Sequence, residues 1–220
     1  MSIAQDQVHL PVVLSSHWRS FFHLFCKRAF DLLGSLLLLL LLSPLLVVLA
    51  LLVKLTSAGP VLYRWRVVGK GGRPFVGYKF RSMVTNADEL KAELEDRNEM
   101  TGPVFKLTHD PRITPLGSWM RRYSLDELPQ LFSVVRGDMS LVGPRPPLVT
   151  EYERFTEYQK QKLAVMPGIT CLWQVSGRNQ VRDFDEWVRL DLEYIRDWSL
   201  TMDLKILLRT VSEVFAGSGK

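Results

Sequence analysis

The sequence has few residues of the kinds that build metal centres or disulfide frameworks. It contains 2 cysteines, Cys26 and Cys171, and 4 histidines in 220 residues. No histidine has a cysteine or another histidine at metal-ligand spacing, which argues against a zinc site. Two cysteines give no disulfide framework and fit a reducing compartment.

Charge is absent from Leu32 to Val53, although 23% of all residues are charged. At ~1.5 Å per residue, such a helix is long enough to cross a hydrocarbon core of ~30 Å. We expect no cleavable signal peptide, because the region before the run is too long and no small-residue cleavage site follows it. The run therefore predicts a membrane segment.

The middle of this apolar run contains Ser43-Pro44. A simple span is the default interpretation, but proline removes a helical hydrogen bond, and each half is then about one leaflet deep. A crossing segment would also leave one of its two flanking cationic clusters on the unfavoured side. We therefore predict a re-entrant helix–break–helix, with the Ser43 hydroxyl satisfying a carbonyl freed at the bend. The flanking cations are Arg19, Lys27 and Arg28 before the run and Lys54, Arg64, Arg66 and Lys70 after it.

The rest of the chain predicts one small domain with no internal repeat and no low-complexity linker. We divide the chain into an interfacial segment (1–31), a membrane segment (32–57) and a cytoplasmic domain (58–220). The predicted fold class is α+β and mostly helical, with a short β-hairpin and amphipathic interfacial helices. The expected elements are a hairpin of Val61–Val68 and Pro74–Phe80, helices at 87–97, 114–122, 147–163, 184–198 and after Ser199, and a strand at 169–175.

The net charge of +5 and the pI of 9.3 indicate anionic partners: phosphorylated ligands, anionic lipid or nucleic acid. Aromatic residues lie beside cations before the apolar run, which suits either lipid headgroups or a nucleic-acid surface. The sequence shows no helix-turn-helix, zinc-finger or RNA-binding signature. We therefore expect no nucleic-acid partner.

The densest group of candidate functional residues lies between Ser124 and Pro146. Asp126 and Glu127 are adjacent, so they cannot face each other across a glycosidic bond. At the start of a helix capped by Ser124, with Glu127 completing a capping box, both can approach one Mg²⁺ (or Mn²⁺), and one carboxylate can attack phosphorus. Taken alone, the pair is more typical of helix capping. Arg145 follows, held between two prolines.

Other cations are candidates for binding phosphate. Lys79 and Arg81 share one face of the predicted second strand. Arg121 ends the helix before the carboxylate pair, and Arg178 lies in a predicted turn. A basic strip attracted to anionic lipid is an equally good interpretation of Lys79 and Arg81.

Taken together, these motifs resemble the bacterial sugar transferase family, the monotopic phosphoglycosyl transferases that start lipid-linked glycan assembly. The resemblance extends from Lys27 to the C-terminus and leaves residues 1–26 uncovered. The motifs are Lys27-Arg28-x-Phe30-Asp31, Ser43-Pro44, Lys79-Phe80-Arg81-Ser82-Met83, Asp110-Pro111-Arg112-Ile113-Thr114, Asp126-Glu127-Leu128-Pro129-Gln130-Leu131, Gly137-Asp138-Met139-Ser140, Gly143-Pro144-Arg145-Pro146 and Pro167-Gly168-Ile169-Thr170.

The resemblance implies transfer of a sugar 1-phosphate from a UDP-sugar to polyprenyl (undecaprenyl) phosphate with release of UMP, and the Gln-Val-Ser-Gly-Arg-Asn and Pro-Arg-Pro-Pro runs resemble the branch of the family that transfers hexose 1-phosphate. It implies that Asp126 forms an acyl-phosphate with the sugar phosphate and that Glu127 helps to hold Mg²⁺. It also implies a domain on the cytoplasmic face of the bacterial inner membrane, contact with the inner leaflet, and a homodimer as one possible assembly. The cations that match basic positions of the family are Lys79, Arg121, Arg145 and Arg178.

Two positions depart from the family pattern. Cys171 stands where glycine is usual, and Val67-Val68-Gly69 replaces the usual Arg-Val-Gly. A non-catalytic, membrane-anchored scaffold of a polysaccharide assembly complex is the alternative function, in which Asp126 and Glu127 only cap a helix.

Overall fold

One helix carries almost the whole apolar run. The computed structural model describes residue 14, residues 16–177 and residues 181–219. After the short helix α1 (Ser16–Arg19), α2 runs from Phe21 to Thr56 over 36 residues. Among the described residues it is the one helix long and apolar enough to cross a membrane. Its middle lies outside the core, with Leu40 71% exposed.

The predicted break at Ser43-Pro44 is wrong as secondary structure, because α2 continues through Pro44. Pro44 has no N–H to donate to the carbonyl of Leu40, four residues earlier. The Ser43 hydroxyl donates to that carbonyl at 2.8 Å instead. The predicted role of Ser43 is thus confirmed, and this bond satisfies the carbonyl that proline leaves without its usual donor. The predicted divide between residues 31 and 32 falls within α2 and stays a prediction.

The predicted hairpin is confirmed. Strand β1 (Leu62–Val68) pairs antiparallel with β2 (Pro74–Phe80), and the glycine-rich turn between them contains a short 3₁₀ segment at Lys70–Gly72. Phe80 is buried in the core, while Lys79 on the opposite face of β2 points toward Glu127.

The remaining described chain is mostly helical, as predicted. It forms α3 (Ala87–Glu93), α4 (Pro115–Arg122), α5 (Leu131–Arg136), β3 (Ser140–Val142), α6 (Val149–Tyr152), α7 (Glu157–Lys160), β4 (Gly168–Thr170), α8 (Leu172–Val175), α9 (Phe184–Asp197) and α10 (Leu200–Ala216). Further 3₁₀ segments lie at Glu95–Arg97, Leu125–Gln130 and Gln161–Ala164.

The second sheet was not predicted as such. Strand β3 pairs parallel with β4, which holds only the first part of the strand expected at 169–175. The Gln174 side chain accepts a hydrogen bond from the Cys171 backbone N–H at 3.0 Å and opens the helical turn α8. This local side-chain contact ends the strand early.

Both ends of α2 pack against the same domain. Near its start, Lys27, Asp31 and Ser35 are buried, and the helix contacts α5 and β3. Near its end, Leu49 and Val53 are buried in a cluster that also contains Phe80 and Met120. The domain therefore holds the helix on both sides of its exposed middle.

The first of these contacts depends on a buried polar network. The Lys27 ammonium donates to Asp203 at 2.7 Å and to the Val142 carbonyl at 3.0 Å, and Asp31 lies 3.5 Å away. The Tyr194 hydroxyl donates to the other oxygen of Asp203 at 2.8 Å. Burial raises the pKa of Asp203, and the Lys27 charge acts in the opposite direction. The two charges are thus mutually dependent, since each would be costly if buried alone.

We expect Lys27→Met to lower the free energy of unfolding by about 3–5 kcal/mol, because Asp203 is left buried without its cation. Urea unfolding of the detergent-solubilised protein, followed by tryptophan fluorescence, measures this change. The matched control is Lys160→Met, which removes an exposed pair with Glu157. An equal effect of the two substitutions would contradict the assigned role of Lys27.

Candidate active site

The predicted capping box at Ser124 does not form. Ser124 adopts a left-handed conformation (φ 53°, ψ 24°) and makes no side-chain cap, and the chain continues as the 3₁₀ segment Leu125–Gln130. Pro129 lies inside that segment, and regular α-helix begins only at Leu131. The carboxylates therefore lie in a 3₁₀ segment and not at the start of a regular α-helix.

Glu127 accepts from two cations instead. Its Oε1 lies 2.6 Å from Lys79 Nζ and 3.2 Å from an Arg145 terminal nitrogen. Asp126 and Glu127 are only 6% and 8% exposed. The structure thus brings together four of the residues singled out in the sequence: Lys79, Asp126, Glu127 and Arg145. Charged groups this deeply buried are kept when they are paired or when they serve a site.

Trp65 is a site residue that the sequence interpretation missed. Lys79 Nζ lies 4.1 Å from the centroid of its ring, and the Arg145 guanidinium carbon lies 6.0 Å from it, which are cation–π distances. The sequence signal was its position between Arg64 and Arg66 in a strand. Because side chains alternate between the two faces of a strand, Trp65 lies on the face opposite these two arginines.

The electrostatics of the two cations differ. Burial lowers the pKa of Lys79, while the Glu127 carboxylate acts in the opposite direction. Burial is the largest single influence on Arg145 and acts to lower its pKa, but Glu127, Cys171 and Glu151 together outweigh it, so the pKa of Arg145 is raised. Arg145 therefore remains a fixed positive charge beside the carboxylates.

Backbone hydrogen bonds hold the segment that carries Arg145. The Pro144 carbonyl accepts from Gly168 N at 3.0 Å, and the Pro147 carbonyl accepts from Val68 N at 2.9 Å. Arg145 is thus fixed between the second sheet and the hairpin, with proline on each side. Such support limits the freedom that the side chain loses when it binds an anion.

A cavity of about 770 Å³ opens beside these groups. Asp126 lines it together with several cations, among them Lys79, Arg121 and Arg145. One part of the cavity is aromatic and also carries Glu151 and Lys162. The aromatic residues of this part are Phe155, Trp173, Phe184 and Trp187. The volume lies within the range of small-molecule sites.

Ring stacking and an ion pair hold the side chains of the aromatic part in place. Trp173 and Trp187 stack with their ring centroids 4.0 Å apart at an angle of 14°. Lys162 lies 4.9 Å from the Trp187 ring centroid and 2.6 Å from the buried Asp191. Nothing in the spacing of these residues along the sequence marked them as neighbours of Asp126.

The other predicted phosphate contacts are placed differently. Arg121 Nε donates to Ser82 Oγ at 2.9 Å. Arg81 lines the cavity, but its terminal nitrogens donate to the Ser57 and Pro60 carbonyls and join β2 to the end of α2. This gives Arg81 a structural role, and its contact with phosphate stays a prediction. Arg178 lies outside the described residues.

Cys171 occupies its position without backbone strain. It is extended (φ −146°, ψ 165°), a conformation that any residue adopts, so a side chain is tolerated there. The thiol is buried, and burial raises the pKa of Cys171 to about 12.

Within the described part of the chain, no group of three or more His, Cys, Asp and Glu residues is arranged to hold a metal ion. The adjacent residues Asp126 and Glu127 would supply two carboxylate ligands. That set fits Mg²⁺, which usually keeps several waters and takes its remaining ligands from substrate phosphates.

A buried carboxylate pair beside fixed cations, with Asp126 lining a cavity, is an arrangement that can bind a phosphorylated substrate and stabilise charge that develops on it. The chain belongs to the bacterial sugar transferase family, whose sequence model matches residues 22–217.

Curated relatives agree with this assignment. The chain is 45% identical over 208 residues to the galactosyl transferase CpsE of Streptococcus agalactiae, covering 94% of this chain and 46% of that protein. It is 45% identical over 200 residues to the undecaprenyl-phosphate galactose phosphotransferase of Salmonella typhimurium, covering 89% of this chain and 41% of that protein. It is 41% identical over 197 residues to the exopolysaccharide production protein ExoY of Rhizobium meliloti, covering 88% and 87%. The chain thus spans less than half the length of the first two.

We expect the Cys171 thiol to resist iodoacetamide at pH 8 in the folded protein, because a pKa of about 12 leaves roughly one thiol in ten thousand ionised, and the thiolate is the nucleophile. Peptide mass spectrometry before and after urea unfolding measures the labelling. The half-buried Cys26 serves as the internal control. Equally fast labelling of Cys171 in folded and unfolded protein would show that the thiol is accessible.

Proposed function

We propose that this chain transfers a hexose 1-phosphate from a UDP-hexose to a polyprenyl phosphate such as undecaprenyl phosphate, and releases UMP. The observation that carries the proposal is the buried Asp126 carboxylate, which lines a cavity beside Lys79 and Arg145. A carboxylate held next to fixed cations can attack a diphosphate whose negative charge those cations attract.

The reaction proceeds in two displacements at one phosphorus atom. An Asp126 oxygen attacks the phosphorus attached to the sugar, and the bond between that phosphorus and the oxygen of UMP breaks. An oxygen of the lipid phosphate then attacks the same phosphorus, and its bond to Asp126 breaks. The products are UMP and a lipid diphosphate sugar, and the Asp126 carboxylate is restored.

The surrounding residues divide the work of binding. Lys79, Arg121 and Arg145 hold the phosphates, with Arg145 offering a planar fork and Lys79 a point charge. Glu127 keeps Lys79 and Arg145 in place. Asp126 and Glu127 would hold Mg²⁺, which supplies charge neutralisation of the diphosphate when it is bound. The aromatic part of the cavity suits the uracil base or the sugar ring of the donor.

The relatives favour a hexose and a role in surface glycan assembly. Their names specify galactose transfer, undecaprenyl phosphate and exopolysaccharide production. A further relative, from Escherichia coli, is named a UDP-glucose:undecaprenyl-phosphate glucose-1-phosphate transferase and is 40% identical over 196 residues. We infer that this chain catalyses the initiating step of exopolysaccharide, capsule or O-antigen synthesis.

We further propose that α2 enters the inner leaflet of the bacterial cytoplasmic membrane and returns, so that the domain stays on the cytoplasmic face. A straight helix of 36 residues would extend ~54 Å, against a hydrocarbon core of ~30 Å. The contacts of both ends of α2 with one domain support this topology, because that domain cannot lie on both sides of a bilayer. A homodimer stays a prediction.

One face of α10 supports contact with the same leaflet. It presents a stripe of exposed apolar side chains, with Phe215 83% exposed, while Asp203 and Ile206 on the other face are buried. This is the pattern of a helix that lies at a membrane interface. The exposed residues of the stripe are Leu204, Leu208, Val211 and Phe215.

We expect Asp126→Asn to reduce UMP release from UDP-galactose or UDP-glucose, with undecaprenyl phosphate and Mg²⁺ present, by at least a thousandfold, because the amide cannot act as the nucleophile. The matched control is Asp197→Asn, which changes an exposed carboxylate in the same way. Circular dichroism verifies that both variants are folded.

Normal turnover by Asp126→Asn would remove Asp126 from the nucleophile role. If the unchanged protein releases no UMP with any of a panel of UDP-sugars, the scaffold function replaces the enzymatic one.

A further inference from the structure

The chain after α10 turns back toward the active site. Gly217 is left-handed (φ 65°), and its N–H donates to the Val214 carbonyl at 3.1 Å, which ends the helix. Ser218 N then donates to the Glu213 carbonyl. This αL turn directs Gly219 away from the axis of α10 and against the end of α4.

Gly219 lies directly against the backbone of α4. Its N–H donates to the Arg122 carbonyl at 3.0 Å. A Cβ atom added at Gly219 would lie 2.1 Å from the Arg121 carbonyl oxygen and 2.9 Å from that of Arg122. Both obstacles are backbone atoms, so a side chain at this position requires the end of α4 to move.

The Arg121 carbonyl is also the atom that closes the turn into the catalytic segment. It accepts from Tyr123 N, and from Ser124 N at 3.0 Å. Ser124 is the one described non-glycine residue with a positive φ. Asp126 follows two residues later, and the Arg121 side chain lines the same cavity.

We propose that Gly219 is a positioning residue: by fitting without a side chain against the Arg121 carbonyl, it fixes the Ser124 turn and hence the Asp126 carboxylate and the Arg121 guanidinium. This inference rests on the proposed function of Asp126. The left-handed Ser124 turn costs conformational energy and persists only where surrounding contacts hold it, and the turn after α10 supplies one such contact.

The test uses Gly219→Ala in the full chain. Displacement of reacting groups by about 1 Å costs up to a hundredfold in rate, so we expect the single-turnover rate constant of UMP release to fall by about ten- to a hundredfold. Rapid-quench measurement with UDP-hexose and Mg²⁺, without lipid acceptor, gives the rate constant and the amplitude of the UMP burst separately.

The rate constant and the amplitude of the UMP burst distinguish a positioning role of Gly219 from a purely structural one. A positioning role lowers the rate constant and leaves the amplitude per folded molecule unchanged. A merely structural role lowers the amplitude, because fewer molecules are active, and leaves the rate constant within twofold of the unchanged protein. That second result would overturn the proposal.

Gly217 and Gly71 provide a matched pair of further variants. Both have φ 65°, but a Cβ at Gly217 would meet the Arg122 side chain at 2.9 Å, whereas a Cβ at Gly71 would meet nothing within 4 Å. We expect Gly217→Ala to slow the burst by about threefold relative to Gly71→Ala, since only the former crowds the side chain of Arg122 at the end of α4. If Gly219→Ala does not fold, this pair decides, and equal rate constants overturn the proposal.

Different results would refute the proposed function and the role of Gly219. Absence of a UMP burst from the unchanged protein, with every UDP-hexose tested, would refute the proposed function. A normal burst from the unchanged protein, together with an equally fast one from Gly219→Ala, would refute only the role of Gly219.

Discussion

A charge within an apolar helix cannot face lipid without a partner, and this constraint fixes how α2 meets the domain. The Lys27 ammonium is buried against Asp203 of α10 and the Val142 carbonyl of β3. Asp31, one turn later, accepts from the Leu141 backbone N–H at 3.0 Å. The start of the apolar helix is therefore tied to the second sheet, which in turn holds the segment that carries Arg145. The second sheet therefore supports both α2 and the candidate active site.

The site is built on the same logic of paired charges. Glu127 is buried because Lys79 and Arg145 both reach its carboxylate, and each cation in turn lies over the Trp65 ring. This cluster places Lys79 and Arg145 beside Asp126 in a region of low solvent exposure, where electrostatic interactions are stronger than in water. For the proposed reaction, this arrangement positions the cations before an anionic donor binds, which reduces the cost of reorganisation.

Much of this organisation could be predicted from short-range sequence signals. The hairpin followed from two β-rich runs around a glycine cluster, and the helices expected near 114–122 and after Ser199 formed as α4 and α10. The Ser43 hydroxyl meets the carbonyl that Pro44 leaves without its donor. These features depend on neighbours within a few residues, which periodicity and capping rules describe well.

The features that were missed depend on contacts between distant parts of the chain. Glu127 has the correct spacing for a capping box, but the ion pair with Lys79 competes successfully for its carboxylate. The sequence also did not show that the terminal nitrogens of Arg81, a predicted phosphate ligand, donate to the Ser57 and Pro60 carbonyls just after α2. Neither outcome follows from local propensity, because tertiary contacts decide which of several available partners a charged side chain takes.

The measurement that tests the account most directly is the membrane topology of α2. Two single-cysteine substitutions are made in a Cys26→Ala background: Gln5→Cys, before α2 in the chain, and Lys70→Cys, after it. Intact cells that carry each variant are treated with a membrane-impermeant maleimide. The account predicts that both cysteines are protected in intact cells and that both are labelled after permeabilisation, since both ends of α2 belong to the cytoplasmic side. Labelling of Gln5→Cys from outside, with Lys70→Cys protected, would show that α2 crosses the bilayer and would contradict the account.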